Sequence, residues 1–303
     1  MATATAARTA VRTELVSGLQ ERAARALPAE RLQVVDGWWL REAPGCSWWL
    51  ESVLPHADHG PAGLARLVAA AEQHAAVRGR AACFQVTPGV CPDALDGLLA
   101  ERGYGLESAA SLRVAPAARV RDWGVFPPAR PLLRAAWGRA GSPSESAEGW
   151  AGSPAEPAEA WAGGSCGAAL DVRVDARPHQ AWFDAWAQVS GRGCDAAAEW
   201  ALLERIEQPT GYASVLLDGQ VAAVGRAVAD GGWAGLFGIA TLPHARRRGA
   251  GRVLLGALAG WAQDAGAADL YLQVQRANAP ALRLYDSAGF SEAAAYHYRR
   301  AAH

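Results

Sequence analysis

The sequence predicts an α/β protein with a mixed central sheet flanked by helices, arranged as two tandem copies of one pattern. Three observations carry this. First, an apolar strand run, Trp233-Ala-Gly-Leu-Phe-Gly-Ile-Ala, stops at Pro243 and passes through Gly249 and Gly251 into a helical pattern. That helix sets Leu254, Leu258, Trp261 and Ala265 on one face. Second, an alternating run, Asp269-Leu-Tyr-Leu-Gln-Val-Gln275, leads into a short helix closed by Gly289-Phe290. Third, an order of strand, short helix, Gly-aromatic and strand also occurs between residues 82 and 114, an internal echo of the closing half.

The chain has 303 residues, 51% of them hydrophobic and 19% charged, enough for two sizeable cores. A net charge of -1 argues against a dedicated nucleic-acid or acidic-membrane surface. Cys46, Cys83, Cys91, Cys166 and Cys194 are odd in number and form no CxxC pair, so free thiols and a cytoplasmic location are expected. No apolar run approaches the ~18 residues of a membrane span. The N-terminus lacks the basic start and apolar core of a signal peptide. His56-x-x-His59 with Asp58 has no evident third or fourth ligand, and no metal is expected.

In chain order, a helix is expected over Val11 to Ala26. Leu32 to Arg41 and Cys46 to Leu54 read as a strand pair around Ala43-Pro44-Gly45. Each of the doublets Trp38-Trp39 and Trp48-Trp49 would then put one indole inside and one outside the sheet, packing across strands or walling a ligand. A helix follows from Gly63 to Arg78, a strand at Ala82–Thr87, a short helix at Pro92–Gly103 and a strand at Ala109–Val114. These make up a first domain, residues 1–127. Residues 128–168 are rich in Ala, Gly, Ser, Pro and Glu, contain Trp150 and Trp161, and read as a flexible linker. A second domain, 169–303, opens with a strand at Leu170–Asp175 and helices at Gln180–Val189 and Ala196–Ile206. A hairpin about Asp218-Gly219 follows, then the elements named first. Asn278 or Ala279 starts the short helix, Pro280 suits its first turn, and Gly289 caps it. Tyr296-His-Tyr-Arg forms a closing strand.

The helix start after Pro243 is where chemistry is expected. Amides of a first helical turn have no partner inside the helix, and the helix dipole adds positive charge there. Gly249 and Gly251 carry no side chain to hold a ligand off, and Arg246, Arg247, Arg248 and Arg252 crowd the same end. A phosphate or pyrophosphate would suit this site. A Walker loop would need lysine, of which the chain has none, and a dinucleotide fingerprint would need glycine where Leu254 stands.

Arg246-x-x-Gly249-x-Gly251 after an apolar strand resembles the pyrophosphate loop of the GNAT N-acetyltransferases. The run Asn278, Ala281, Leu284-Tyr285 and Gly289-Phe290 resembles that family's closing signature. Trp-rich residues followed by Ser-Val-Leu-Pro resemble the N-terminal part of actinobacterial tandem acetyltransferases. No Arg-x-x-Gly-x-Gly precedes the helix at Gly63, so the first copy reads as degenerate. The resemblance implies an acyl-CoA N-acyltransferase fold, acetyl-CoA as co-substrate and an amine acceptor. Acetyl-CoA would be held by Ile239, Ala240, Thr241, Arg246, Arg247, Arg248, Gly249, Ala250, Gly251, Arg252, Asn278 and Tyr285. Tyr285 is the expected acid, since a tyrosine stays protonated at neutral pH. The strand offers only Leu236, Phe237 and Gly238 where many relatives carry a glutamate, which leaves Glu199 or Glu204 to act as base through water. The alternative is a catalytically silent acyl-CoA-binding protein with a regulatory or scaffold role.

Overall fold

The computed structural model describes residues 2–125, 170–191 and 193–302, with side chains from Ala10 onward. The expected linker 128–168, with Trp150, Trp161 and Cys166, lies outside the described residues. The N-terminal half runs α1 (Ala2–Ala26), β1 (Arg31–Val35), β2 (Trp38–Glu42), a 3-10 turn (Trp48–Glu51) and β3 (Leu54–Pro55). It continues with α2 (Gly60–Ala76), β4 (Cys83–Val86), α3 (Leu95–Glu101), β5 (Gly105–Pro116) and α4 (Ala117–Gly124). The C-terminal half runs β6 (Leu170–Asp175), α5 (Gln180–Ser190), α6 (Ala196–Glu204), β7 (Thr210–Leu217), β8 (Gln220–Asp230) and β9 (Trp233–Thr241). After a 3-10 turn (Pro243–Ala245) come α7 (Ala250–Asp264), β10 (Asp269–Gln275), α8 (Ala279–Ala288) and β11 (Ser291–Arg300).

The halves repeat one order: hairpin, strand, helix, strand, short helix, strand. Each hairpin turns on Asp-Gly in left-handed backbone, Asp36-Gly37 in the first half and Asp218-Gly219 in the second. This corrects the expected turn at Pro44-Gly45. The stronger turn signal lies eight residues earlier, and residues 48–51 coil as a 3-10 turn instead of forming a strand. Trp38 is fully buried and Trp39 partly so, whereas both Trp48 and Trp49 are half-buried.

Eight strands form one sheet in the order β4-β11-β5-β10-β9-β8-β7-β6. Only β9 and β10 are parallel within it. The halves exchange their last strands. β5, from the first half, pairs with β10 from Asp269–Pro116 to Gln275–Ala110. β11, from the second, pairs with β4 from His297–Val86 to Arg300–Cys83. β5 and β11 lie antiparallel at the centre, so the two stretches expected as separate domains share one sheet. The small sheet β1-β2-β3 joins this one through a parallel bridge, Val53 to Phe84.

One face of the large sheet buries Trp182 and Phe183 of α5 and Leu19 of α1 against Tyr212, Phe237 and Leu112. The other buries Leu254 and Leu258 of α7 and Tyr285 of α8 against Leu236, Leu270 and Leu272. Each such side chain is worth about 1.5–3 kcal/mol relative to exposure. A third cluster, around Trp38, Phe84, Leu67 and Leu99, belongs to the N-terminal half. Among the described residues no helix is long and apolar enough to cross a membrane.

Helix α4, which periodicity did not suggest, lies on α7 at a glycine-to-glycine contact. A Cβ on Gly124 would collide with Gly256 Cα. Arg252 secures it, stacking 4.9 Å over the Trp123 ring and donating from Nε to Trp123 O at 2.6 Å.

Candidate active site

The site grows from the place where β9 leaves β10. Their parallel pairing runs from Asp269–Trp233 to Leu272–Leu236 and stops. Beyond it β9 carries a bulge against β8: Val224 faces Ala240 while Arg226 faces Phe237, leaving one extra residue on β9. Gly238 supplies the turn, with φ +62. Both Gly238 and Ile239 are half-exposed, so the bulge reaches solvent. The strands therefore splay into a wedge open toward their C-terminal ends. Leu242 N–H donates to Ala222 O at 2.9 Å, so by ladder alternation the backbone of Thr241 faces away from β8, into the wedge. Its carbonyl accepts Arg246 Nε at 3.4 Å.

The wedge opens onto the start of α7. Gly249 caps this helix in left-handed backbone, φ 85, and Arg247 is also left-handed, φ 62. The amides of Arg252 and Val253 both bond Gly249 O, at 3.0 and 3.1 Å. Those of Ala250 and Gly251 have no acceptor within the helix. Arg246, Arg247 and Arg248 are exposed around them. A Cβ on Gly251 would lie 3.3 Å from Leu284 of α8 and 3.6 Å from Thr241 Oγ1, so β9, α7 and α8 converge here. Arg252, also in this loop, turns its guanidinium onto Trp123 of α4.

Asn278 caps α8, its Oδ1 accepting from Ala281 N at 3.2 Å. Gly289 ends the helix at φ 98, and Phe290 N returns to Tyr285 O at 3.0 Å. Tyr285 is 6% exposed and meets Phe290 edge-on at 5.8 Å. Burial pushes its phenol up to about 12. Its hydroxyl has no hydrogen-bond partner among the described residues.

Glu199 is not a solvated surface glutamate. It is 6% exposed, and its Oε1 accepts from Ser47 N at 3.0 Å and from Ser47 Oγ at 3.2 Å. Asp195 N donates to Gly45 O at 2.7 Å, so the start of α6 is stitched to the loop before the 3-10 turn at Trp48. Glu204 instead accepts from Trp200 Nε1 on its own helix, at 3.0 Å.

Sequence reasoning passed over two features. Beside the end of β10 lies a cavity of about 190 Å³, lined by Trp48, Trp49, Gln273, Gln275, Tyr296 and Tyr298 and so shared by both halves. The other is Arg226, alone in an apolar strand and 4% exposed, its Nε and Nη2 enclosed without a partner. Burial lowers its pKa to about 10, which still leaves it charged at neutral pH. A single charge inside Val-Ala-Ala-Val-Gly-Arg-Ala-Val was the signal.

A split sheet that opens on a glycine-bearing helix start, with a tyrosine on the following helix, defines the acyl-CoA N-acyltransferase class of fold. Residues 175–290 match the model of the Acetyltransferase (GNAT) family. Over 126 residues the chain is 28% identical to the uncharacterized N-acetyltransferase YobR of Bacillus subtilis (strain 168), covering 41% of this chain and 51% of that protein. Over 58 residues it is 47% identical to the ribosomal protein bS18-alanine N-acetyltransferase of Salmonella typhimurium (strain LT2), covering 19% of this chain and 39% of that one. The chain thus spans about half or less of the length of these relatives. A GCN5-related N-acetyltransferase from Kribbella flavida superposes with a TM-score of 0.61 at 17% identity, over 94% of this chain and 93% of that one, so the likeness in fold includes both halves.

Proposed function

We propose that the protein is an N-acetyltransferase moving an acetyl group from acetyl-CoA directly to a primary amine. The observation that carries this reading is the wedge between β9 and β10, which ends at the unpaired amides of Ala250 and Gly251. The residues fit a diphosphate followed by a narrow arm. Arg246, Arg247 and Arg248 with the amides of Gly249, Ala250 and Gly251 would hold the charge. The backbone of Ile239, Ala240 and Thr241 would line the arm. Asn278 spends Oδ1 on its cap and keeps its Nδ2 donors for the ligand. Arg252 supports the loop from behind by fixing α4.

Bound acetyl-CoA supplies an activated acetyl thioester. Tyr285 keeps its proton up to a pH of about 12. Full transfer to a thiolate of pKa ~8.5 is uphill by roughly 3 to 4 units, about 5 kcal/mol, so its hydroxyl acts as a hydrogen-bond donor to the departing sulfur. The Thr241 amide, facing the wedge, is available to polarise the carbonyl. With Oε1 held by Ser47, Glu199 has only Oε2 left to draw the amine proton through water. In the N-terminal half the start of α2 is occupied by the chain's own acid, Gly60 N donating to Asp58 Oδ1 at 2.9 Å. We infer that this copy holds no acyl-CoA and serves as a wall of the cleft.

A second reading, a silent acyl-CoA binder, is favoured by the absence of a carboxylate at Leu236, Phe237 and Gly238. Calorimetry of the full chain with CoA, followed by CoA release over a panel of primary amines, separates the two. Binding with turnover on at least one amine is expected. Binding with no turnover on any amine selects the silent reading, and no binding removes both.

A further inference from the structure

The cavity shared by the two halves stands where the second substrate of a direct transfer has to enter. Pairing between β9 and β10 ends at Leu236–Leu272. Gln273, the next residue of β10, already lines the cavity. Tyr271, Gln273 and Gln275 alternate onto one face of β10. Tyr271 packs there with Phe237 and with Trp182 of α5, whereas Leu272 packs with Tyr285 and α7 on the other face. The start of α7 and Tyr285 therefore address the gap between the strands from one side, and the cavity addresses it from the opposite side. An acetyl donor held by α7 leaves the cavity to the acceptor. Gln273 is half-buried and Gln275 exposed, so the cavity opens to solvent.

Its walls select a shape and a charge. Trp48 meets Tyr298 edge-on at 5.2 Å, and Tyr298 meets Tyr296 in the same way at 5.7 Å. The Trp49 carbonyl accepts from Arg41 Nη2 at 3.3 Å and from Ser52 Oγ at 2.8 Å, which pins the 3-10 turn that presents both indoles. Burial pushes the phenols of Tyr296 and Tyr298 up, so both are uncharged at neutral pH. Gln273 and Gln275 contribute neutral carboxamides, and none of the residues lining the cavity carries a charge. A second ammonium or a carboxylate on the acceptor would lose its water here without meeting an opposite charge. Nor is the aromatic wall free to take a cation, because the Arg300 guanidinium already stands 5.6 Å over the Trp48 ring. A flat ring is favoured instead, since it can stack on these rings or meet them edge to face. The cavity measures about 190 Å³. A space of about 150 Å³ accommodates benzene, so one ring with a short attachment fits.

We propose that this cavity binds the body of the acceptor, and that the acceptor is a primary amine joined by a short chain to one flat, uncharged ring. This rests on the acetyltransferase reading for the reaction, but not for the binding of the ring. The ring lies among Trp48, Trp49, Tyr296 and Tyr298, and the chain carries the nitrogen past Gln273 to the gap between β9 and β10.

The test uses the full chain and three acetamides of product shape, N-(2-phenylethyl)acetamide, N-butylacetamide and the cationic N-acetylputrescine, compared by saturation-transfer NMR without CoA. The phenyl probe is expected to bind at least tenfold more tightly than either of the others. Ala110 lines the cavity and is 4% exposed. Ala110→Leu should fill the space and abolish the preference without lowering the melting temperature. Trp49→Leu keeps the backbone bonds of the turn and should weaken the preference severalfold. Equal binding of the probes by the wild type, binding of none, or tighter binding of N-acetylputrescine overturns the proposal. So does a preference undiminished in Ala110→Leu, or in Trp49→Leu should the first variant fail to fold. With acetyl-CoA, kcat/KM for 2-phenylethylamine should exceed that for butylamine at least tenfold, and equal values overturn the assignment of the acceptor. CoA calorimetry on the same sample reports separately on the acetyltransferase reading. CoA binding without a ring preference removes this inference alone, and a ring preference without CoA binding keeps the ring site and removes the transferase.

Discussion

At the scale of single residues, Tyr285 and Glu199 make different demands. Tyr285→Phe deletes one oxygen from a buried ring that packs on Phe290 and leaves the helix start untouched. Expected is a fall in kcat of about 10²-fold, the lower range for losing one hydrogen-bond donor to developing charge, with CoA affinity within about twofold. Rates from the amine panel and calorimetry measure both, and a CoA affinity that falls along with kcat would make Tyr285 a packing residue. With the phenol at about 12, the wild-type rate should show no alkaline limb from this group below pH ~11. For Glu199→Gln a relay base and a strut predict different results. A relay base predicts loss of the acid limb in the pH profile of kcat/KM. A strut predicts a parallel profile and a stability lower by about 1–3 kcal/mol, because Ser47 loses a charged acceptor. The sequence singled out Glu199 as a chemical group but gave no hint of Ser47. The two residues stand 152 positions apart, and nothing local to α6 encodes that pairing.

Elements were legible where their signals are local. The bounds of β10, the Asn278 cap, Pro280 in the first turn and the Gly289 stop lie in adjacent residues, and each has its own physical cause. The hairpin at Asp36-Gly37 was equally local, yet Pro44-Gly45 drew the turn away from it. Helix α4 was not legible, since eight residues carry too little periodicity and α7 supplies its stability. That dependence is testable. A Cβ on Gly256 would approach Gly124 Cα to 2.7 Å, with the backbone on both sides unable to yield cheaply. Gly256→Ala should cost about 1–3 kcal/mol by overpacking and free α4, despite the better helix propensity of alanine. Denaturant unfolding and amide exchange of residues 117–124 would read this, and unchanged protection there would show the contact to be slack.

For the whole molecule, the exchange of β5 and β11 matters more than the boundary between the copies. It was also the least legible feature, because strand pairing between residues more than 150 positions apart leaves no mark in either segment. The buried thiols span this shared body. Burial raises Cys83 to about 12 and Cys91 to about 11, from a value of 9.0 when unperturbed. A raised folded pKa gives stability that is complete below about pH 9 and lost as pH rises toward 11–12. Between pH 9 and 10 the two thiols together should remove about 2 kcal/mol, measured by urea unfolding in steps of half a pH unit. A flat profile there would mean that the thiols are open to water. The exchange itself predicts how the halves behave apart. Residues 126–303 alone would leave β10 without β5 along Asp269–Gln275 and β11 without either neighbour, exposing three strand edges and the apolar residues Leu270, Leu272 and Val274. Unpaired edges of this kind aggregate, and no other strand of that fragment stands next to β10 on the vacant side. The fragment should therefore be poorly dispersed in NMR and bind hydrophobic dyes. Adding residues 1–125 as a separate chain should restore a dispersed spectrum and CoA binding, because strand pairing across the centre needs no covalent link. A cooperative melt and a dispersed spectrum for 126–303 on its own would show that the second copy closes its sheet unaided.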